Sequence, residues 1–122
     1  MPDILLIEDD APLRQTLARL LSRSGYAVRE AENGKVGLCL MGERAADLVV
    51  TDILMPEMEG IETIRHLRKR YPETRIVAIS GGGRGDAHCY LKIARELGAQ
   101  KTLTKPFFPY ELLSALKELQ AE

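Results

Sequence analysis

The sequence predicts an α/β fold: a doubly wound, five-stranded parallel sheet of order 2-1-3-4-5, flanked by five helices. Three observations lead there. Five short apolar runs alternate with five segments of helical periodicity along the 122 residues. Two of the runs, Ile4–Ile7 and Leu48–Val50, are nearly continuous hydrophobe, the pattern of strands covered on both faces. Polar residues appear abruptly where the runs stop. Strict alternation of strand and helix calls for parallel strands joined by right-handed crossovers. Five-stranded sheets of this kind commonly take the order given.

The strands are expected at Ile4–Ile7, Tyr26–Val28, Leu48–Val50, Ile76–Ile79 and the less apolar Gln100–Leu103. The first helix carries Leu13, Leu17, Leu20 and Leu21 on one stripe, tolerates Pro12 in its first turn and stops at Gly25. Asp10 is its expected cap. The second starts at Asn33, a good N-cap residue, and carries Val36, Cys39 and Leu40 at i, i+3, i+4. The third carries Ile61, Ile64 and Leu67 and must end before Pro72. The fourth carries Ala87, Leu91 and Ala94 and stops at Gly98; the fifth begins near Pro109 and carries Leu112, Leu113, Leu116 and Leu119.

Length and composition narrow the function classes. A chain of 122 residues suits one domain, expected over 1–122 with no output domain attached, and it can bury a core without a metal or disulfide staple. Apolar residues at 45% and charged residues at 29% exclude a disordered chain. Lys+Arg is 17 against Asp+Glu 18, so the basic excess of a nucleic-acid partner is missing. The longest apolar run is too short to span a bilayer, and Met1-Pro2-Asp3 has no basic leader, so no membrane role is expected and the expected location is the cytoplasm. Cys39 and Cys89 lack metal-ligand spacing and read as unpaired thiols on helices; His66 and His88 read as ordinary helix residues.

The chemistry gathers at the strand ends. The first strand ends in Glu8-Asp9-Asp10, the third in Thr51-Asp52, the fourth in Ser80 and the fifth in Thr104-Lys105-Pro106. Parallel strands bring all of these to one edge of the sheet. In the 2-1-3-4-5 order the first and third strands are neighbours, so Glu8, Asp9 and Asp52 converge at the crevice where such sheets bind ligands. Two carboxylates about 4 Å apart cost roughly 4 kcal/mol at an effective dielectric near 20. Either their pKa values rise or a cation sits between them. A hard, oxygen-seeking ion such as Mg²⁺ suits these donors. Lys105 adds a fixed positive charge and Ser80 a hydroxyl. These are the parts needed to hold and activate a phosphoryl group on a carboxylate nucleophile.

The residues also match a family. Leu5-Leu6-Ile7-Glu8-Asp9-Asp10, then Leu48 through Gly60 with Asp52-Ile53-Leu54-Met55-Pro56-Glu57-Met58-Glu59-Gly60, then Ala78-Ile79-Ser80-Gly81, then Lys105-Pro106-Phe107, occur in this order and at these distances. The chain resembles the response-regulator receiver domain of two-component signalling, in particular its stand-alone type, such as the chemotaxis receiver. The resemblance implies a flavodoxin-like sheet and a set of roles. Asp52 looks like the phosphoacceptor. Asp9 would ligate Mg²⁺ (or Mn²⁺) directly and Glu8 partly through water, with Asp52 and the backbone carbonyl of Leu54 completing the set. Lys105 would pair with Asp52 and then with the phosphoryl group, and Ser80 would move toward its oxygens. Lys105–Pro106 is a candidate cis bond. The implied donor is a sensor histidine kinase or a histidine phosphotransfer protein. Output would run through a protein partner docked on the helix 4–strand 5–helix 5 face, with the chain a monomer or a phosphorylation-dependent dimer. A relay shuttle or phosphate sink fits the same chemistry.

Two features depart from the family pattern. Thr102 stands where the family commonly has an aromatic switch residue. The loop Gly81-Gly82-Gly83-Arg84-Gly85 is glycine-rich, and phosphorylation is expected to order it and reset the fourth helix. A nucleotide-binding reading of that loop fails, because no Lys-Ser/Thr follows and Asp86 falls where a third glycine is required. A phosphatase using Asp52 lacks the second Asp two residues on, where Leu54 stands. A receiver-like docking module that takes no phosphate is opposed by the intact acidic residues, hydroxyl and lysine.

Overall fold

The computed structural model describes residues 2–53, 59–81 and 87–121, apart from the side chains at 59, 81 and 87–91. The elements alternate as β1 (Asp3–Ile7), α1 (Ala11–Arg23), β2 (Ala27–Ala31), α2 (Gly34–Glu43), β3 (Leu48–Asp52), α3 (Glu59–Arg70), β4 (Arg75–Gly81), α4 (Ala87–Leu97), β5 (Lys101–Lys105) and α5 (Pro109–Ala121). The sheet runs β2-β1-β3-β4-β5 with every pair parallel, the expected order.

The near-continuous hydrophobe of β1 and β3 has a simple cause: the sheet has a core on each face. Leu5, Ile7, Val49, Ile76 and Ala78 pack with Met41, Ile61, Ile64, Leu67 and Ala94 from α2, α3 and α4. Ile4, Leu6, Leu48, Val50, Val77 and Ile79 pack with Leu17 and Leu21 of α1 and Leu112, Leu116 and Leu119 of α5. Successive strand residues feed opposite cores, as the two-residue strand period requires.

Helix ends follow the sequence signals. Asp10 Oδ1 accepts from Leu13 N at 3.2 Å and Asn33 Oδ1 from Val36 N at 2.8 Å, so each satisfies an otherwise orphaned amide. Gly25 and Gly98 close α1 and α4 with φ of 99° and 124°, a region costly for any residue with a Cβ.

The strands run longer than hydrophobicity alone indicates. The second half of β2 turns polar: Arg29 and Glu30 lie beyond the expected end at Val28. They belong to the strand because β2 is an edge and both side chains are tethered, Arg29 to Asp3 at 3.0 Å and Glu30 to Arg14 at 3.2 Å. Cys39 was expected on the apolar stripe of α2 but is exposed; the buried side of that helix is Gly34, Gly37 and Met41. Small residues there allow close approach, since a Cβ on Gly37 would lie 2.5 Å from Ile7 Cδ1. The Cys89 and His88 side chains, the Met55–Met58 motif and residues 82–86 of the glycine loop lie outside the described residues.

Candidate functional site

The site forms where β1, β3 and β5 end on the same edge. Glu8 follows the last residue of β1, and its amide donates to Ala31 O of β2 at 3.0 Å. The chain then turns tightly. Asp10 N donates to Glu8 Oε2 at 3.2 Å, and Asp10 caps α1. Asp52 is the last residue of β3, one step beyond the Ile7–Thr51 pair that joins β3 to β1. Lys105 is the last residue of β5, and its long side chain crosses the end of β4 to reach both.

The geometry is tight. Lys105 Nζ donates to Asp52 Oδ2 at 2.7 Å and to Glu8 Oε1 at 2.9 Å. Glu8, Asp9 and Asp52 each offer a carboxylate oxygen within 4.8 Å of the others. Glu8 and Asp52 are buried at 2% and 4% exposure, while Asp9 faces solvent. Ser80, one residue past the Asp52–Ile79 pair, is fully buried, and its Oγ has no hydrogen-bond partner among the described residues. The Lys105–Pro106 peptide is cis.

Electrostatics mark the cluster as under-neutralised. Burial pushes the Glu8 carboxyl up to about 7, with the Asp52 charge adding to it, against the lowering effect of the Lys105 and Asp10 hydrogen bonds. Burial alone would lower the Lys105 ammonium, but its bonds to Asp52 and Glu8 outweigh this and hold it above its ordinary value. Among the described residues, three carboxylates gather beside the Lys105 ammonium. The donor set is all oxygen, part buried and part open to solvent, and it fits a hard divalent cation.

The match to known proteins is extensive. The response regulator receiver domain model matches residues 4–117. This chain belongs to the response regulator receiver family. The phosphate regulon regulatory protein PhoB of Pseudomonas aeruginosa is 34% identical over 114 residues, covering 93% of this chain and 49% of PhoB. The chemotaxis protein CheY of Thermotoga maritima is 32% identical over 117 residues, covering 95% of each chain. A CheY-like receiver domain structure from Methanospirillum hungatei superposes with a TM-score of 0.88 at 26% identity, over 99% of this chain and 95% of that one. The chain thus spans about half the length of curated relatives such as PhoB. Receiver domains are the signalling modules of two-component systems; they take phosphate from histidine kinases, bind Mg²⁺ at an acidic pocket and act on downstream partners. No helix among the described residues is long and apolar enough to cross a membrane.

Glu8, Asp9, Asp52 and Lys105 therefore come together as the sequence indicated, and Ser80 stands at the end of the adjoining strand. The Leu54 carbonyl lies outside the described residues. Thr102 sits half-buried in β5 beside Ala78. Two contacts escaped the sequence reading. Lys105 bonds to Glu8 as well as Asp52, and Arg14 Nη1 donates to the Glu8 carbonyl at 2.9 Å. The first could be foreseen from β1 and β3 being neighbours. The second had no signal, because the contact joins a helix side chain to a backbone carbonyl and no residue pattern marks it.

Proposed function

We propose that this chain is a phosphoacceptor receiver that takes a phosphoryl group onto Asp52 from a phosphohistidine partner, either a sensor histidine kinase or a histidine phosphotransfer protein. The observation that carries the reading is the Lys105 ammonium held between two buried carboxylates, one of them at the end of β3, inside a three-carboxylate cluster. A carboxylate oxygen of Asp52 attacks phosphorus; the new O–P bond forms as the N–P bond to imidazole breaks, and the imidazole leaves with the bond pair. Lys105 is placed to follow the charge from the Asp52 carboxylate onto the phosphoryl oxygens. Ser80 contributes a buried hydroxyl with no hydrogen-bond partner among the described residues, suited to a phosphoryl oxygen. Glu8, Asp9 and Asp52, with the Leu54 carbonyl, would hold Mg²⁺ or Mn²⁺, which supplies charge neutralisation for donor and acceptor oxygens. The chain acts on itself rather than turning over external substrates, and 1–122 works as one receiver unit in the cytoplasm.

Output is assigned to the α4–β5–α5 face. The exposed large hydrophobics among the described residues are Ile93 on α4, Phe108 between β5 and α5, and Tyr110 on α5. Phe108 and Tyr110 stack at 5.6 Å, giving an exposed aromatic pair a few residues after Lys105 in sequence. Such anchors suit a protein partner.

The test is incubation with Mg²⁺ and a small acyl-phosphate donor, read by intact mass. Wild type is expected to gain one hydroxylamine-labile phosphoryl group and Asp52→Asn none. An equal adduct on both proteins, or on neither, would overturn the proposal.

A further inference from the structure

We infer that Arg14 is a positioning residue that fixes the acidic pair for cation binding, an inference that rests on the receiver reading above. The turn bearing Glu8 and Asp9 leaves the sheet at Glu8, and three fixed points hold it. Glu8 N donates to Ala31 O, Arg14 Nη1 donates to Glu8 O at 2.9 Å, and Asp10 caps α1 through Leu13 N. The guanidinium is anchored from outside by Glu30 Oε1 on the edge strand, 3.2 Å from Nε, and it is only 15% exposed. One planar fork therefore ties α1, the end of β1 and β2 together at the residue that starts the acidic turn.

The consequence reaches Asp9 through the backbone. Asp9 is the exposed member of the cluster, and its carboxylate must be held within 4.8 Å of two buried ones that the sheet already fixes. The orientation of the Glu8–Asp9 peptide decides whether it can be. Arg14 sets that orientation by a charge-assisted bond to the carbonyl of this very peptide. Groups that orient metal ligands without touching the metal commonly change affinity by about 10–100-fold when removed. Lysine keeps the charge but lacks the fork that reaches Glu8 and Glu30 together.

The experiment measures Mg²⁺ dissociation constants of the unphosphorylated full chain by calorimetric titration, alongside metal-free thermal unfolding. Arg14→Ala is expected to weaken Mg²⁺ binding about 10-fold while still unfolding cooperatively. Arg14→Lys should recover less than half of that loss on a logarithmic scale. Glu30→Ala, which frees the outer anchor while leaving every cluster residue in place, should weaken binding in the same direction by a smaller factor. An Arg14→Ala constant within about twofold of wild type, or full recovery in Arg14→Lys, overturns the inference. If Arg14→Ala does not fold, Glu30→Ala and Arg14→Lys decide it, and wild-type affinity in both refutes it. The receiver reading fails separately, if the wild type binds Mg²⁺ but takes no phosphoryl group from the acyl-phosphate donor.

Discussion

Replacing Lys105 with methionine removes one charge and keeps most of the side-chain volume. The cost follows from what the ammonium touches. Its bond to Asp52, a charge-assisted bond to a carboxylate 4% exposed, contributes about 2 kcal/mol. Its bond to Glu8 behaves differently, because Glu8 titrates. The folded Glu8 value of about 7 lies above the unfolded value near 4.5. Stability linked to Glu8 is therefore fully present below about pH 4.5 and is lost as pH rises through about 7. Lys105 itself is raised, so its contribution persists to pH values above its unfolded one and does not vary across this window. Without Lys105 the Glu8 carboxyl moves higher still. Near pH 5.5 Glu8 is protonated in both folded proteins, and the variant loses only the Asp52 bond. Near pH 8 the wild type ionises Glu8 more fully than the variant, so the variant also loses that contact. The gap between wild type and Lys105→Met should thus widen from about 2 kcal/mol near pH 5.5 by on the order of 1 kcal/mol as pH rises to about 8. Urea unfolding in chelator at both pH values measures it. A gap that is constant or narrows as pH rises would refute the assignment of Glu8 as the partner that senses Lys105.

The remaining expectations use the same energetics. Glu8→Gln should flatten the metal-free stability profile, removing a loss of about 2 kcal/mol between roughly pH 5.5 and 8; an unchanged slope in urea titrations would point to another group. Gly60→Ala should destabilise by about 1–3 kcal/mol, because its Cβ would lie 2.3 Å from Ile53 Cα and 2.5 Å from Asp52 O, and backbone cannot yield as a side chain does. Since the obstructed carbonyl belongs to Asp52, the rate of adduct formation should fall with it, and wild-type stability and rate together would contradict the contact. Asn33→Ala should cost about 1 kcal/mol by thermal unfolding, as the Val36 amide loses its acceptor.

Much of this was legible in the sequence. The fold was readable because two-sided burial writes itself as unbroken hydrophobe, as in Ile4–Ile7, and because Gly25 and Gly98 punctuate the helices. The acidic cluster was readable because parallel strands carry polarity: whatever follows the hydrophobe in each strand must meet at one edge. Edge strands hide from the same logic. Arg29 and Glu30 belong to β2 through ion pairs with Asp3 and Arg14, contacts between residues far apart in sequence that no periodicity announces. Arg14 is illegible for the same reason. Nothing in the helical periodicity sets it apart, and only the tertiary placement of the Glu8 carbonyl gives it a task.

The same cluster explains why such a site can act as a switch rather than a static patch. A buried carboxyl held near 7, a second carboxylate beside it and a buried hydroxyl without a partner among the described residues are each unfavourable for the fold alone. The first two are crowded negative charge, and the third is an unused hydroxyl. A cation relieves the first two, and a phosphoryl group offers the third an acceptor. A ligand that binds the folded state and not the unfolded chain adds its binding free energy to stability. These groups lie at the ends of β1, β3 and β4, while the two cores beneath are apolar. In the proposed reading, ligand-linked energy would be delivered at the sheet edge from which β4 leads to α4 and β5 to α5, close to Ile93, Phe108 and Tyr110 in the chain. A rearrangement driven at that edge can reach the exposed apolar residues without disturbing either core.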